Sequence, residues 1–333
     1  MGGRHFISCS PLNFCLSAMQ IHKELSQLPH FNNAVITIGT FDGVHLGHQQ
    51  IIKQLKETAQ KINGETVIIT FNPHPRSIVG VYGGKVDLLN TLEEKISLLD
   101  AAGVDHLVVV PFTKKFANNT AEEYCRNFIY QHFKPHTIII GYDHRFGRSR
   151  TGDYHLLEAI GLELGFNVKE IDEKIINQII ISSTGIRNAL LNNDVDIANE
   201  FLGYPYFFEG EVVHGNQLGR TIGYPTANIN LNTNEKLIPA DGVYAVTIKM
   251  KPDSHSIFFG MMNIGFRPTV DGKKRLIEVN IFEFSKEIYG MTLQIHVHAF
   301  LRNEVQFSGL DALVTQLEGD AAKVKELLVE LAK

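Results

Sequence analysis

The chain has little cysteine, no tryptophan, no surplus of positive charge and no long apolar run. Cys9, Cys15 and Cys125 form no CxxC pair and accompany no matching histidine cluster, so neither a disulfide framework nor a zinc site is suggested, and a reducing cytoplasm fits best. With 31 basic and 36 acidic residues the formal charge is −5, which disfavours non-specific binding to nucleic acid. No apolar stretch approaches the roughly 20 residues that span a bilayer, so an integral membrane protein is not expected. Residues 1–18 hold one arginine and no sustained hydrophobic segment of the kind a signal peptide requires. Clear patterning begins at Met19, and 1–18 are expected to be disordered or a non-native extension.

What is present is ordinary for a globular protein: 333 residues, 44% hydrophobic and 20% charged, with 28 glycines and 11 prolines. At roughly 150 residues per domain, this length suggests two domains. Short β-branched runs at Ala34–Ile38, Thr66–Phe71, His106–Val110, Thr137–Ile140 and Asn167–Ile171 read as buried strands. Between them Ile51, Ile52, Leu55, Ala59 and Ile62, then Leu92, Ile96 and Leu99, recur at helical spacing. Such alternation predicts a parallel, Rossmann-like sheet covered on both faces, with ligands outside the carboxyl ends of its strands.

The texture changes after Ile181. Ser182, Ser183 and Thr184 can cap a helix through Ile186, Ala189 and Leu190, and a second helix is expected over Asp194–Leu202. From Tyr206 to Phe300 strands and turns dominate, with turn signals at Asp241-Gly242 and Asp271-Gly272 and a long strand expected over Leu276–Phe284. Strands at this density suggest a small closed antiparallel barrel. The tail returns to helix, with Ser308 and Asp311 as a capping pair. Leu310, Leu313, Val314, Leu317, Val324, Leu328 and Leu331 form an apolar stripe that should dock on the barrel. The expected division is 19–187 for the α/β domain, 188–204 for a helical linker and 205–333 for the barrel domain with its helix.

Two constellations carry chemistry. The first, Gly39-Thr40-Phe41-Asp42-Gly43-Val44-His45-Leu46-Gly47-His48, follows strand one and opens a helix. A helix N-terminus offers unpaired N–H groups and about half a positive charge, and the glycines let phosphate approach the backbone. His45 and His48, three apart on one face, can together donate to a triphosphate and stabilise charge developing on its α-phosphoryl group and pyrophosphate leaving group. Farther on, Gly141-Tyr142-Asp143-His144-Arg145-Phe146-Gly147 with Arg148 and Arg150 makes a cationic loop suited to an anionic substrate. Ser182, Ser183, Thr184 and Arg187 surround a second helix start where phosphate is favoured. Ordinary turns, a solvated basic loop and a plain helix cap are the non-functional counterparts of these readings.

The second constellation, His214 to Asn228, is rich in glycine but has no GxxxxGK[ST] and is not a Walker loop. Gly215, Gly219 and Gly223 can expose N–H groups to phosphate. Thr226 and Asn228, alternating along an extended segment, project oxygens to one face that can hold Mg²⁺. Turn-forming glycines in a β domain would explain the spacing alone.

The strings GTFDGVHLGH, FNPHPR (Phe71–Arg76), GYDHRFG and ISSTGIR resemble the nucleotidylyltransferase superfamily, and within it the flavin mononucleotide (FMN) adenylyltransferase module of bacterial FAD synthetases. GRTIGYPTAN, PADGVYAV, NIGFRPT, IEVNIFEF and FLRNEVQF resemble the riboflavin kinase module of the same bifunctional family. The resemblance implies a transferase that phosphorylates riboflavin with ATP and then adenylylates FMN to FAD, both steps using Mg²⁺. It implies a nucleotide site of Gly39, Phe41, Asp42, Gly43, His45, Gly47, His48, Ser182, Ser183, Thr184 and Arg187, with Asp143, Arg145 and Phe146 toward the flavin substrate. His45, His48 and Arg187 would be catalytic. For the kinase it implies nucleotide contacts from Gly215, Gly219, Arg220, Gly223, Pro225, Thr226 and Asn228, metal binding by Thr226 and Asn228, and Glu278 as the base. Arg302 is expected either to contact flavin or nucleotide or to form a rim salt bridge.

An inward carboxylate at Glu278 would be costly unless used or paired. Three positions depart from the family pattern: Asn72, where an acidic residue is more usual, and Asn280 and Glu283, in place of a histidine and an aspartate. Lack of tryptophan is neutral for flavin binding, since Phe and Tyr also stack. The partners implied are small molecules, with no nucleic acid and no membrane. Nothing in the sequence speaks against a homo-oligomer. The rival readings are a chain with one degenerate site and a non-catalytic flavin or ATP sensor.

Overall fold

The computed structural model describes residues 18–79, 86–141, 144–171, 181–215, 218–252, 256–269 and 272–331. The expectation for 1–18 therefore lies outside the described residues except at Ala18, as do Asp143 and Asp271. Six strands, β1 (Gln20–His22), β2 (Val35–Ile38), β3 (Thr66–Asn72), β4 (His106–Pro111), β5 (Thr137–Gly141) and β6 (Asn167–Ile171), form an all-parallel sheet in the order β1-β4-β3-β2-β5-β6. The chain order reverses between β2 and β5, which makes their carboxyl ends the topological switch point where α/β sheets bind ligands. Alternate strand residues feed two cores. Val35, Ile68, Leu107 and Ile139 pack with Ile52, Leu55 and Ala59 of α1 (Leu46–Lys61) and Leu99 of α2 (Leu92–Ala101). Ile36, Val67, Val108 and Ile138 pack on the other face with Leu157 and Ile160 of α3 (Tyr154–Leu164). That face is also covered by a helical segment, unanticipated from the sequence, of Ala121–Glu123, a π-type stretch Tyr124–Tyr130 and Gln131–Phe133.

The second half is a closed barrel in the order β10-β11-β8-β7-β12-β9. Its strands are β7 (Tyr206–Val213), β8 (Ala227–Asn230), β9 (Gly242–Lys251), β10 (Ile257–Thr269), β11 (Gly272–Ile281) and β12 (Thr292–Arg302). The strand expected over Leu276–Phe284 is displaced: β11 starts at Gly272, where it pairs with Thr269, and ends at Ile281. Glu283 beyond it has a left-handed φ of 56°, which strand geometry forbids. Tyr206, Phe208, Tyr244, Val246, Met262, Ile277, Val279, Leu293 and Ile295 fill the interior. The tail helix α6 (Leu310–Leu331) lies on the outer wall, where Val324 and Leu328 meet Ala245 and Met261. Of its expected stripe, Leu310, the first residue of the helix, is instead 57% exposed; the side chain of Leu331 is outside the described set.

Helices α4 (Ser183–Leu191) and α5 (Val195–Leu202), expected as a connector, belong to the barrel's apolar cluster through Ile186, Leu190, Val195, Ala198 and Leu202. Leu89, from the crossover between β3 and α2, joins the same cluster and is fully buried. The segment around it forms a short parallel bridge to the barrel domain: Leu88 N–H donates to Glu235 O at 2.6 Å and Leu237 N–H donates to Leu88 O at 2.8 Å. Leu89 thus carries the first half into the barrel's apolar core. Leu89→Ala should shift urea unfolding by roughly 2–5 kcal/mol, as expected for emptying a buried leucine site. Leu162→Ala, on a leucine 83% exposed on α3, should stay within about 0.5 kcal/mol.

Candidate active sites

The first site stands at the switch point. The loop 39–45 leaves β2, and His45 caps α1: its Nδ1 accepts the His48 N–H at 3.4 Å. This fixes the neutral tautomer of His45 with its proton on Nε2. The His45 ring lies 3.2 Å from where a Cβ on Gly47 would stand, so any side chain there would crowd it. His45 and His48 stack at 3.8 Å between centroids with planes 18° apart, and Phe41 covers His48 from 4.9 Å. The expected sharing of one face is therefore present, and His48 Nδ1 is buried with no hydrogen-bond partner among the described residues. The loop is tightly wound. Phe41 and Val44 have φ of 47° and 36°, and Gly43, at +90°, lies so close to Leu89 that a Cβ would come within 2.8 Å of its Cδ1.

Asp42 explains this shape. Its carboxylate is 2% exposed; Oδ1 accepts from Leu89 N–H at 2.9 Å and Asn90 N–H at 3.3 Å, and Oδ2 accepts a short hydrogen bond from the Arg187 guanidinium. Arg187 Nε also donates to Asp87 O at 2.7 Å, and Ser183 Oγ to Asp42 O at 2.9 Å. The sequence grouped Asp42, Ser183 and Arg187 around one phosphate. The structure brings them together as a clamp on the loop. Ser182 caps α4 by accepting the Gly185 N–H, and Thr184 is exposed.

Charge in this pocket comes from a residue the sequence did not single out. Lys95 of α2 is 7% exposed and its ammonium donates to Thr40 O at 2.6 Å. Burial pushes its pKa down to about 8, with Asp42 opposing. Burial likewise lowers His45 to about 4 and His74 to about 4, and drives His48 well below its ordinary range, helped by His45 and Lys95. At neutral pH the histidines are therefore uncharged donors, and Lys95 is a buried cation with no carboxylate in salt-bridge contact among the described residues. A lysine among the apolar positions of an amphipathic helix reads as solvated, and only the fold shows otherwise.

The expected flavin-side residues lie nearby in sequence but differ in setting. Arg145 is exposed and pairs with Asp153 at 2.9 Å. Phe146 is 6% exposed, stacked on Tyr124 at 5.3 Å, and a Cβ at Gly152 would overlap its ring.

The second site lies on the outer wall of the barrel, under α6. A cavity of about 280 Å³ is lined by Gly219, Thr226, Asn263, Glu278, Arg302 and Leu317, among others. Glu278 was expected to point inward; the interior is taken by its neighbours Ile277 and Val279, so the alternation of β11 turns Glu278 outward into this cleft. Register puts Asn228 opposite Glu278, and Asn263 opposite it on the other side, so the three side chains stand in a row on one face. Asn280, also on that face, donates its Nδ2–H to Pro225 O at 2.7 Å and holds the turn before Thr226. Gly215 forms a cradle for Asn228, whose amide would overlap any Cβ there. Gly223 has φ +82° in open space, and Arg220 and Pro225 are exposed. Arg302 makes a bidentate pair with Asp320 of α6, the rim salt bridge among its two expected roles.

Among the described residues no group of three His, Cys, Asp or Glu side chains could hold a metal ion. The hydroxyl of Thr226 and the amide oxygen of Asn228 are hard donors, suited to a Mg²⁺ that keeps most of its other ligands as water and phosphate.

Comparison with known proteins agrees with both halves. Residues 28–185 match the family model described as FAD synthetase, and residues 202–328 match that described as riboflavin kinase. The chain is similar to the bifunctional riboflavin kinase/FMN adenylyltransferases of Haemophilus influenzae, at 39% identity over 87% of this chain and 92% of that protein, and of Escherichia coli K12, at 36% over 91% and 95%. A solved structure described as a macrolide-efflux protein from Streptococcus pneumoniae shares the fold, with a TM-score of 0.81 and 31% identity over 93% of this chain and 99% of that one. Among the described residues no helix is long and apolar enough to cross a membrane. With both modules matched in order and full-length relatives at this identity, the chain belongs to the bifunctional riboflavin kinase/FMN adenylyltransferase family.

Proposed function

We propose that this chain makes FAD in two steps, phosphorylating riboflavin at the barrel's outer wall and adenylylating FMN at the switch point of the sheet. The observation that carries this reading is the pair of separate, chemically different sites in one chain: Glu278 in a row with Asn228 beside Thr226, and stacked histidines at a helix start. The division into 19–187, 188–204 and 205–333 is proposed with it, although α4 and α5 pack as part of the barrel's core.

In the kinase half, Glu278 takes the proton of the terminal ribityl hydroxyl while that oxygen attacks the γ-phosphorus of ATP and the bond to the ADP oxygen breaks. Gly215, Gly219, Arg220, Gly223 and Pro225 belong to the loop that would cover the phosphates. Thr226 and Asn228 would hold Mg²⁺, which when bound neutralises phosphate charge. In the other half an FMN phosphate oxygen attacks the α-phosphorus of ATP and pyrophosphate leaves, with no covalent enzyme intermediate. Catalysis there is positioning and charge stabilisation. His45 and His48, held neutral, each offer one N–H to phosphate oxygens, the N-terminal amides of α1 add theirs, and Lys95 supplies positive potential from behind Thr40. Arg187 acts by holding Asp42 and the loop. Arg145 and Asp143 are the proposed flavin-side polar contacts, and Phe146 shapes that loop from beneath.

Incubation with riboflavin, ATP and Mg²⁺ should give FMN first and FAD later. A lasting absence of FAD from FMN would show a degenerate adenylyltransferase site. Glu278→Gln should lower riboflavin phosphorylation by about a hundredfold or more and leave FMN adenylylation intact. His48→Ala should do the reverse, lowering adenylyl transfer at least about tenfold; equal losses in both activities would mean misfolding. The pH profile separates the pocket's charges. Because Lys95 is cationic only below about 8, kcat/KM for ATP in adenylyl transfer should fall as pH rises through that value, and Lys95→Arg should move the fall to higher pH. With His45 lowered to about 4 and His48 driven well below its ordinary range, neither histidine titrates between pH 5.5 and 7, so a break there belongs to the substrates' phosphates and should persist in His48→Ala; a break near 6.5 that disappears in that variant would contradict the assignment.

A further inference from the structure

We infer that Lys236, a residue of the riboflavin kinase match, is a positioning residue for adenylyl transfer in the other half of the chain; the inference rests on the function proposed above. Lys236 has a side chain 1% exposed, and its ammonium protons meet three acceptors: Glu94 Oε2 at 2.5 Å, Leu89 O at 2.6 Å and Phe207 O at 2.7 Å. Its Nζ also stands 4.6 Å from the centroid of the Tyr206 ring. Two of these acceptors, Glu94 and Leu89, lie in the FAD synthetase match and one in the barrel, so a single buried cation ties the halves together.

Both ties lead to the phosphate loop. Through Leu89 the path is one residue long: its carbonyl accepts from Lys236 and its N–H donates to Asp42 Oδ1, the carboxylate that clamps Arg187 and whose main-chain oxygen holds Ser183. The Leu89 side chain meanwhile packs against Gly43 of the loop. Through Glu94 the path is the first turn of α2. Glu94 closes the capping box with Thr91, and its neighbour Lys95 reaches Thr40 O. Leucine 89 and the start of α2 are thus held from the barrel side by one ammonium and from the site side by Asp42 and Thr40. Loss of Lys236 frees the outer hold, and a loop displacement of about 1 Å at reacting phosphates is enough to lower turnover severely.

A buried lysine beside a carboxylate also has a purely structural explanation, in which it serves only to neutralise Glu94. The two accounts separate in a neutral double variant, Lys236→Met with Glu94→Gln, which removes both charges while glutamine can still accept the Thr91 N–H. Steady-state adenylylation of FMN and phosphorylation of riboflavin are measured on wild type, Lys236→Met and the double variant. The expected result is an adenylyl-transfer kcat at least about tenfold below wild type in both variants. KM for ATP should stay within about threefold and riboflavin phosphorylation within about twofold, while the double variant regains the thermal stability lost in the single one. Full adenylyl-transfer kcat in the double variant, or equal loss of both activities there, overturns the inference. If Lys236→Met does not yield folded protein, the double variant alone decides. A wild-type chain that forms no FAD from FMN defeats the proposed function itself and this inference with it, whereas active wild type with an unimpaired double variant defeats only the role of Lys236.

Discussion

The buried carboxylate of Asp42 is the constraint on which the first site depends. A charge at 2% exposure is tolerated only when fully partnered, and its partners come from two separate stretches: Leu89 and Asn90 before α2, and Arg187 in α4. Satisfying Asp42 therefore gathers these stretches around the end of β2. Left-handed backbone at Phe41 and Val44 costs on the order of 1–3 kcal/mol each. The clamp offsets that cost, so that the loop presents the amides of α1 and the stacked pair His45 and His48 already aimed. On the proposed function, the site gains from being rigid before phosphate arrives, since no reorganisation is then needed at the moment of reaction.

The second half is built on a different principle. Its barrel interior is filled largely by apolar side chains, and the candidate site lies on the outer wall, where polar members of β8, β10 and β11 alternate with core residues and α6 forms a roof. Among the described residues the two halves meet at the wall that bears α4, α5 and the bridge at Leu88. The core continues across that wall, as Leu89 and Leu202 show. On the proposed function, a barrel that carries its own reaction also serves as the platform for the neighbouring loop 39–45.

Much of this was legible in the chain. β2 to β5 stand where their β-branched patterning put them, because buried parallel strands must be apolar on both faces, whereas β6, also expected as buried, is an edge strand whose Asn167, Lys169 and Glu170 are exposed. β1 escaped notice because it has only three residues and half-exposed or exposed side chains. The stretch Ala121–Phe133 was missed because its apolar residues follow a locally widened, π-type turn rather than a 3.6-residue period. The motifs placed His45, His48, Thr226 and Glu278 in two sites, but they could not show which side of the barrel wall Glu278 faces, since alternation fixes parity and not direction. Nor could they show that Asp42 and Arg187 partner each other. Lys95 and Lys236 carried no signal at all: a single lysine looks solvated until the fold reveals what surrounds it.

On the proposed function, Asp42 shapes one nucleotide site and leaves the other untouched. Calorimetric titration with a non-hydrolysable ATP analogue and Mg²⁺, run on wild type and Asp42→Asn, tests this directly, with the barrel site serving as an internal control for folding. Two equivalents per chain for wild type and one for the variant is the predicted result. Two equivalents of unchanged affinity in Asp42→Asn would contradict it.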